Sequence, residues 1–289
     1  MPERIETKNA YYERINKVIH YIHSHLYEKL DVDTLAHHAA FSPYHFHRIM
    51  RAHLNESLIS YIIRLRMEVA AGFLLHTNMN ITDIAYKVGY DMPSSFNKAF
   101  KKRFGVSPSD FRNNYDSSNL YFQSKKAKAM KKVTLQHEMR EVPSRKVIYV
   151  SSIGPYDGQG THRAWEKVCR FAGQNNLFAS NTVFIGISYD DPNITDSKKL
   201  RYDACVSIDE NVKPEGEVGI REIADGKYMV FLHEGPYENF QYSYDYIFGE
   251  WLSESKMELR EEPSFELYLN SPDETNPEDL KTEIWVPVK

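Results

Sequence analysis

Apolar residues recur at helical spacing in the first part of the chain. The segment YYERINKVIHYIHSH, residues 11–25, predicts a helix whose apolar face is formed by Ile15, Val18, Ile19 and Ile22. The segment SLISYIIRLRMEVAAGFLLHT, residues 57–77, predicts one longer helix of about 19 residues, which would span roughly 28 Å. Between these two segments, Asp31 or Asp33 can cap DVDTLAHHA, and Ser42 followed by proline suits the start of PYHFHRIMRAHL.

A helix-turn-helix pattern occurs twice. Leu35 lies 49 residues before Ile84 and, after one extra residue in the turn, Arg51 lies 50 residues before Lys101. In each copy the second helix is the more basic and polar of the pair. A stiff connector of roughly 28 Å approaches the separation of about 34 Å between successive major grooves on one face of B-form DNA. One chain could therefore cover a non-palindromic site of about two turns without dimerising.

The net charge of -4 hides opposite balances in the two parts of the chain. Residues 1–132 hold 20 Lys+Arg against 12 Asp+Glu, a balance of +8, and the remainder holds 16 against 28, a balance of -12. A basic part beside an acidic part indicates two separate tasks, with a polyanion as the partner of the basic part.

Composition also bears on the compartment. The two cysteines, Cys169 and Cys205, are far apart and form no Cys-x-x-Cys motif, which excludes a disulfide framework and fits a reducing cytoplasm. No apolar run approaches the roughly 20 residues of a spanning helix, and the opening MPERIETKNA lacks the apolar centre of a signal peptide. We therefore expect a cytoplasmic protein without a membrane partner.

The second helix-turn-helix copy carries a family signature. Residues 81–112 read I-x-D-I-A-x-x-V-G-Y-x-x-x-S-x-F-x-K-x-F-K-K-x-F-G-V-S-P-S-D-F-R, which resembles the AraC/XylS-type transcription regulators over about 105 residues. The resemblance implies a double helix-turn-helix domain that binds double-stranded DNA. The side chains that it implies to face DNA are Tyr44, His45, His47, Arg48, Arg51, Ser94, Ser95, Asn97, Lys98 and Lys101.

Six of the 12 histidines lie within residues 37–53, which raises the question of a metal site. His45 and His47 are two residues apart on a helix, so their side chains diverge by about 200° and do not chelate. His20 and His23 could share a face, but no acidic third ligand accompanies them. We therefore predict no metal, and assign His45 and His47 to DNA contact. Arg48 and Arg51 could read bases or clamp phosphates, since the two roles share the same chemistry.

Beyond a polar and lysine-rich linker, residues 116–132, the pattern changes to short β-rich runs separated by Gly, Pro and Asp. The motif GPY at residues 154–156 recurs at 235–237, a shift of 81, and the same shift takes Ile185 to Glu266. We thus expect residues 133–289 to form one α+β domain with a pseudo-twofold axis and a groove between its halves, behind an all-α domain of residues 1–115.

Glu266 departs from this repeat. Strand alternation could place its carboxylate in solvent, but the apolar residue at the repeat-equivalent position argues for a covered site. An ionised carboxylate removed from water without a partner costs several kcal/mol, so the group needs a cation, a proton or a ligand. No lysine or arginine occurs between Glu261 and Asn270. Aromatic faces around such a group favour flat or apolar cations.

The second domain resembles the GyrI-like effector-binding domain in its GPY turns, its strand PSFELYLN and its ending EIWVPVK. In that family the matching glutamate meets cationic, apolar ligands in a groove, which implies the same role for Glu266. The domain order resembles the Rob-type regulators. The residues that we expect to line the groove are Glu266, Tyr268, Trp285, Tyr156, Tyr237, Tyr149 and Phe231.

The leading hypothesis is a transcription regulator that binds DNA and a small apolar cationic effector, meets RNA polymerase at promoters, and has no catalytic residues and no cofactor. One alternative is a GyrI-like hydrolase of strained electrophiles, using Glu266 with Tyr268 or Tyr156, fused to a DNA-binding domain. Another is an architectural DNA binder whose second domain takes no ligand. A turnover assay separates the first alternative from the leading hypothesis, and ligand-independent transcription would support the second.

Overall fold

A computed structural model describes residues 2–115, 135–210, 212–255 and 257–289. These residues form two compact units, one up to residue 115 and one from residue 135. The predicted linker, residues 116–132, lies outside the described residues. None of the helices in the described ranges is both long enough and apolar enough to cross a membrane.

The first unit is helical, as predicted. Its helices are α1 (Pro2–Ser24), α2 (Val32–His38), α3 (Pro43–Leu54), α4 (Leu58–His76), α5 (Ile81–Lys87), α6 (Pro93–Phe104) and α7 (Pro108–Tyr115). The Asp31 side chain caps α2 by accepting from Thr34 N, and Ser42 Oγ caps α3 by accepting from His45 N. The long connector α4 has 19 residues, the length expected from its apolar pattern.

Buried ions on α4 hold the two helix-turn-helix copies. Glu68 accepts from Arg64 of its own helix and from Arg103 of α6, each at 3.0 Å. Arg66 donates to backbone carbonyls on both sides, to Leu26 O at 2.9 Å and to Gly89 O at 3.0 Å. Because partly buried charges need partners that match them in geometry, these contacts fix both copies to one helix and make α4 a stiff spacer.

The second unit is α+β, also as predicted. Its strands are β1 (Gln136–Val142), β2 (Arg145–Ile153), β3 (Phe184–Ser188), β4 (Arg201–Ser207), β5 (Gly219–Ile223), β6 (Gly226–Glu234), β7 (Phe265–Tyr268) and β8 (Lys281–Pro287). Its helices are α8 (Gln159–Gln174), α9 (Phe240–Asp245) and α10 (Leu252–Ser255), with a π-helical turn at Tyr246–Trp251 joining the last two. The GPY turns begin with Gly154 and Gly235 at φ of 138° and 117°, a conformation that favours glycine.

The sheet shows the predicted pseudo-twofold repeat. Its order is β1-β6-β8-β7-β3-β4-β2-β5, and all neighbours are antiparallel. The order is symmetric about the β7–β3 pair, with β1 paired to β6 and β5 paired to β2. Each half therefore places its first strand on the sheet edge of the other half, and the two halves are interlocked.

Equivalent ion pairs secure these exchanged strands. Arg140 of β1 contacts Glu283 of β8 at 2.9 Å, and Arg221 of β5 contacts Asp203 of β4 at 3.0 Å. Arg221 follows Arg140 by 81 residues, and Glu283 follows Asp203 by 80 residues. In each case an edge strand reaches across its neighbour to an acid on the next strand, which strengthens the interlocking of the halves.

The two faces of the sheet carry different cores. On one face, α8 packs on a cluster that includes Val150 and Ala204, and the α9–α10 segment packs on a cluster that includes Phe231 and Ile284. On the opposite face a separate buried cluster contains Val147, Tyr149, Ile185, Tyr228, Phe265 and Trp285. The helix-covered face holds the buried carboxylate that the sequence singled out.

Candidate ligand site and nucleic-acid surface

Glu266 lies at the centre of the helix-covered face. It pairs with Gly186 of β3 on one side and with Ile284 of β8 on the other. Only 1% of the residue is exposed. Oε1 accepts a hydrogen bond from the Tyr244 hydroxyl at 2.5 Å, whereas Oε2 is buried and has no hydrogen-bond partner among the described residues. A single tyrosine therefore supports a carboxyl group that is almost completely removed from water.

Aromatic side chains surround the carboxyl group. The Tyr202 and Tyr268 hydroxyls are hydrogen-bonded at 3.0 Å, and Trp165 Nε1 donates to the Tyr202 hydroxyl at 3.1 Å. The Trp165 ring meets the Tyr268 ring edge-on at 5.6 Å between centroids, and the Tyr237 ring lies 5.4 Å from that of Tyr268. The environment of Glu266 is thus built of ring surfaces and neutral hydroxyls.

The close approach of Gly186 makes this packing possible. A Cβ atom at this position would lie 3.0 Å from Glu266 Oε2, 2.6 Å from the Tyr268 hydroxyl and closer still to that of Tyr202. The structure also corrects the repeat assignment. Because Gly186 and Glu266 face the same side while Ile185 faces the other, the equivalent of Glu266 is Gly186, at a shift of 80 rather than 81.

Burial determines the protonation of the cluster. It raises the pKa of Glu266 to about 7, and the hydrogen bond from Tyr244 opposes that rise only in part. Burial also raises the pKa of Tyr244 and of Tyr268 well above the ordinary value. The tyrosines are therefore neutral hydrogen-bond donors and acceptors at physiological pH, and Glu266 is the group in this cluster that can change its charge there.

A change of helix geometry brings Tyr244 to Glu266. The segment of residues 240–255 follows α8 by 81 residues at both ends, but Tyr244 follows its inward-facing counterpart Trp165 by 79. The π-helical turn lies just after Tyr244, and such a turn holds more residues than an α-helical one, which rotates the preceding residues about the helix axis. Tyr244 and Trp165, neither of which was predicted, thereby reach the site from the two halves.

Substituting Gly186 by Ala is expected to destabilise the second unit by about 1–3 kcal/mol, because the new methyl group displaces the Tyr268 hydroxyl and the Glu266 carboxyl. Chemical denaturation followed by tryptophan fluorescence measures this change. Gly173→Ala is the matched control, since its Cβ would lie 3.7 Å from Phe178, an ordinary contact. Equal stability of the two variants would contradict the close packing at Gly186.

The predicted groove residues are only partly brought together. Tyr268 and Tyr237 lie beside Glu266, and the Tyr156 ring lies 6.0 Å from that of Tyr202, with its hydroxyl donating to Asp190 O. The prediction requires correction at three positions, Trp285, Tyr149 and Phe231.

Trp285 pairs with Phe265, and Tyr149 pairs with Cys205, so strand alternation puts both on the face opposite Glu266. Phe231 shares the face of Glu266 but is fully buried against Trp251, with 4.9 Å between ring centroids, and belongs to the core.

The predicted DNA-facing residues lie on α3 and α6. Those whose side chains are described are all exposed: His45, His47, Arg48, Arg51, Ser94, Ser95, Asn97, Lys98 and Lys101. The side chain of Tyr44 lies outside the described residues. On the inner side of the same helices Phe46 and Phe96 are fully buried. Each second helix therefore presents a polar and basic surface over an aromatic core.

A groove beside α6 unites part of this surface. Its volume is about 400 Å³, and it is lined by Ile81, Asn97, Lys98, Lys101, Ser107, Pro108 and Ser109. The two lysines place positive charge at an open concave surface, which suits a phosphate group of a nucleic-acid backbone.

Several histidines serve packing. The His23 ring is hydrogen-bonded to the Tyr61 hydroxyl at 2.7 Å, and His25 Nδ1 lies 2.9 Å from Tyr21 O. The His38 ring stacks on Tyr21 at 4.4 Å between centroids. These contacts explain part of the high histidine content by the packing of α1 against α2 and α4.

Comparison with known families fits both units. A model of the GyrI-like small molecule binding domain matches residues 135–289. The chain belongs to the GyrI-like family. A helix-turn-helix domain model matches residues 35–114, so the GyrI-like unit is joined to an AraC-type DNA-binding domain.

Relatives of this GyrI-like protein are named as transcription regulators. It is 32% identical over 139 residues to the putative transcriptional regulator YosT of the Bacillus subtilis prophage SPbeta, covering 47% of this chain and 88% of YosT. It is 36% identical over 103 residues to the HTH-type transcriptional regulator YbfP of B. subtilis, but the match spans only 35% of either chain. The EcmrR–DNA complex is 15% identical, with a TM-score of 0.48 over 89% of this chain and 98% of that one.

Proposed function

We propose that this chain regulates transcription by binding promoter DNA through its first unit and a small, apolar, cationic effector through its GyrI-like unit. The observation that carries the effector assignment is the Glu266 carboxyl group, which is 1% exposed and has one oxygen without a hydrogen-bond partner in the described structure. A buried carboxylate requires a counter-charge, and a bound cation supplies it.

The surroundings of Glu266 favour a particular kind of cation. Rings of Trp165, Tyr237 and Tyr268 provide faces and edges on which an apolar or flat cation gains about 0.5 to 2 kcal/mol per contact. Ammonium groups with many N–H donors would find few acceptors here, because the neighbouring groups are tyrosine hydroxyls. The excess of acidic over basic residues in the GyrI-like unit also attracts cations over a distance.

The DNA side of the proposal rests on the exposed polar surfaces of α3 and α6. The stiff spacer α4 holds both helices, so one chain can engage two successive major grooves, with His45, His47, Arg48 and Arg51 on α3 in one groove. The second groove would take Ser94, Ser95, Asn97, Lys98 and Lys101 of α6. A cytoplasmic location, contact with RNA polymerase, and binding without catalysis complete the proposal.

Calorimetric titration with tetraphenylphosphonium, a lipophilic cation without titratable groups, tests the effector assignment. The full chain is expected to bind it saturably, and Glu266→Gln should weaken binding by at least about tenfold, or about 1.4 kcal/mol, because the counter-charge is lost. Glu222→Gln, which removes an exposed carboxylate of the same unit, is expected to bind as the wild type does. Undiminished affinity in Glu266→Gln would remove the carboxyl group from effector binding.

A hydrolase is the second candidate function. The observation that favours it is the pKa of Glu266, raised to about 7 by burial, because a group near this value can act as a general acid or base. Incubation with an epoxide as the strained electrophile, with Glu266→Gln as control, distinguishes the two. Product formation that depends on Glu266 would establish the enzyme, and saturable binding without product would favour the sensor.

A further inference from the structure

The Glu266 carboxyl group has no buried counter-charge. No ion pair in the described part of the chain includes it, and of its two oxygens only Oε1 is hydrogen-bonded. Ionising an unpaired carboxyl group in such surroundings costs several kcal/mol, so the group holds its proton in the free protein. The hydrogen bond from Tyr244 reduces this cost for Oε1 and leaves the cost for Oε2 unchanged.

The groups packed around Glu266 from each neighbouring element are neutral. From β3 and β4 they are Ser188 and Tyr202, from β7 Tyr268, from α8 Trp165, from α9 Tyr244, and from the first GPY turn Tyr156. Cys205 lies on the opposite face, where burial raises the pKa of its thiol well above the ordinary value. Burial raises the pKa of each of these tyrosines as well, so none of them supplies a charge near neutral pH.

The charged groups nearest to this cluster are already paired. Arg201 is bound to Asp190, whose backbone carbonyl accepts from the Tyr156 hydroxyl, and the two side chains meet at 2.6 Å. Under α9, the His233 Nδ1 is hydrogen-bonded to Ser243 at 2.7 Å, and burial lowers the pKa of His233. His233 is therefore neutral over the range in which Glu266 titrates.

We propose that effector binding at this site is an exchange of one cation for one proton, in which the Glu266 carboxyl group releases its proton to solvent as the cation enters. This inference rests on the proposed function. The O–H bond of the carboxyl group breaks, the electron pair stays on the carboxylate, and the proton passes to buffer. Tyr244 continues to donate to Oε1, and Oε2 gains the cation.

The exchange keeps the site electrically neutral in both states. A protonated carboxyl group carries no charge, and a carboxylate with a monovalent cation carries none in sum. Because the cost of a buried net charge is large, this neutrality removes the main penalty that either half-step alone would carry. A neutral ligand of the same shape can bind to the protonated form without releasing a proton, so proton release separates the two ligand classes.

The exchange predicts how affinity depends on pH. With a carboxyl pKa of about 7, binding of a permanent cation is weakened about tenfold at pH 6 relative to pH 8, and about a hundredfold at pH 5. The sign follows from competition, since acid favours the protonated form that the cation must displace. The number of protons released is about 0.9 at pH 6, about 0.5 at pH 7 and about 0.1 at pH 8.

Titration calorimetry of the full chain with tetraphenylphosphonium, in two buffers of different ionisation enthalpy at each pH, measures both quantities. Glu266→Gln is expected to bind weakly, with no proton release and no dependence on pH. His233→Gln is expected to retain the wild-type release, which excludes the neighbouring imidazole as the source.

The outcomes separate the two proposals. Wild-type binding that is independent of pH and releases no proton would overturn the exchange and leave the effector assignment standing. Proton release that persists in Glu266→Gln would also overturn the exchange, because another group would be its source. If tetraphenylphosphonium does not bind saturably at any pH, the effector assignment fails and the exchange fails with it.

Discussion

Replacing Arg51 and Lys101 together by Ala is expected to weaken binding to a duplex selected by this chain by about 2 to 6 kcal/mol, roughly 30-fold to 10⁴-fold. The two exposed side chains lie on different basic helices, so their effects should add. If both contact phosphates, the slope of log K against log salt concentration falls in magnitude by about two units. Fluorescence anisotropy with labelled duplex over a series of salt concentrations measures both changes.

A control with the same loss of charge makes this result specific. Lys17 and Lys29 are exposed residues of the same unit that lie outside α3 and α6, and their joint replacement by Ala should leave the affinity and the slope close to those of the wild type. An equal loss in both double variants would show that general charge, rather than the two basic helices, determines binding. An unchanged salt slope in Arg51→Ala/Lys101→Ala would exclude these side chains as phosphate contacts.

Glu266→Gln is expected to stabilise the ligand-free GyrI-like unit at pH 8 but not at pH 4.5. Burial raises the pKa of Glu266 from 4.5 to about 7. Between these values the native state holds one proton more than the unfolded state, so the wild type loses stability as the pH rises, by about 3 kcal/mol in all. Glutamine does not titrate, and the variant escapes this loss.

Tryptophan fluorescence during chemical denaturation reports this unit within the full chain, because Trp165, Trp251 and Trp285 all lie in it. The informative quantity is the difference in free energy of unfolding between variant and wild type, which should grow by about 3 kcal/mol from pH 4.5 to pH 8. Glu222→Gln, at an exposed position, should show no such growth. A difference for Glu266→Gln that stays constant with pH would mean that the buried carboxyl group is ionised in the free protein.

Much of the fold could be predicted from local patterns. Helix caps at Asp31 and Ser42 and the length of α4 follow from residues next to each other in sequence, which is where such signals are strongest. The internal repeat predicted the paired architecture of the second unit. The exchange of β1 and β5 between the halves could not be predicted, because their pairing is set by long-range ion pairs such as Arg221 with Asp203.

The site could be predicted only around its carboxyl group. Glu266 is conspicuous because it interrupts an apolar repeat, and alternation correctly joined it to Tyr268. Trp285 was misplaced because its face depends on the register of β8 against β7, which no local pattern specifies. Tyr244 was missed because the π-helical turn changes the repeat spacing from 81 to 79, and a fixed shift passes over it.

The most direct test of the account is transcription in vitro, with purified RNA polymerase and a promoter that carries a duplex selected by this chain. Increasing tetraphenylphosphonium is expected to change transcript yield with the wild-type protein, with a midpoint near its calorimetric Kd. Glu266→Gln should occupy the same DNA and leave the yield unchanged at those concentrations. An equal response of both proteins, or no response of the wild type while it binds DNA and the cation, would contradict the account.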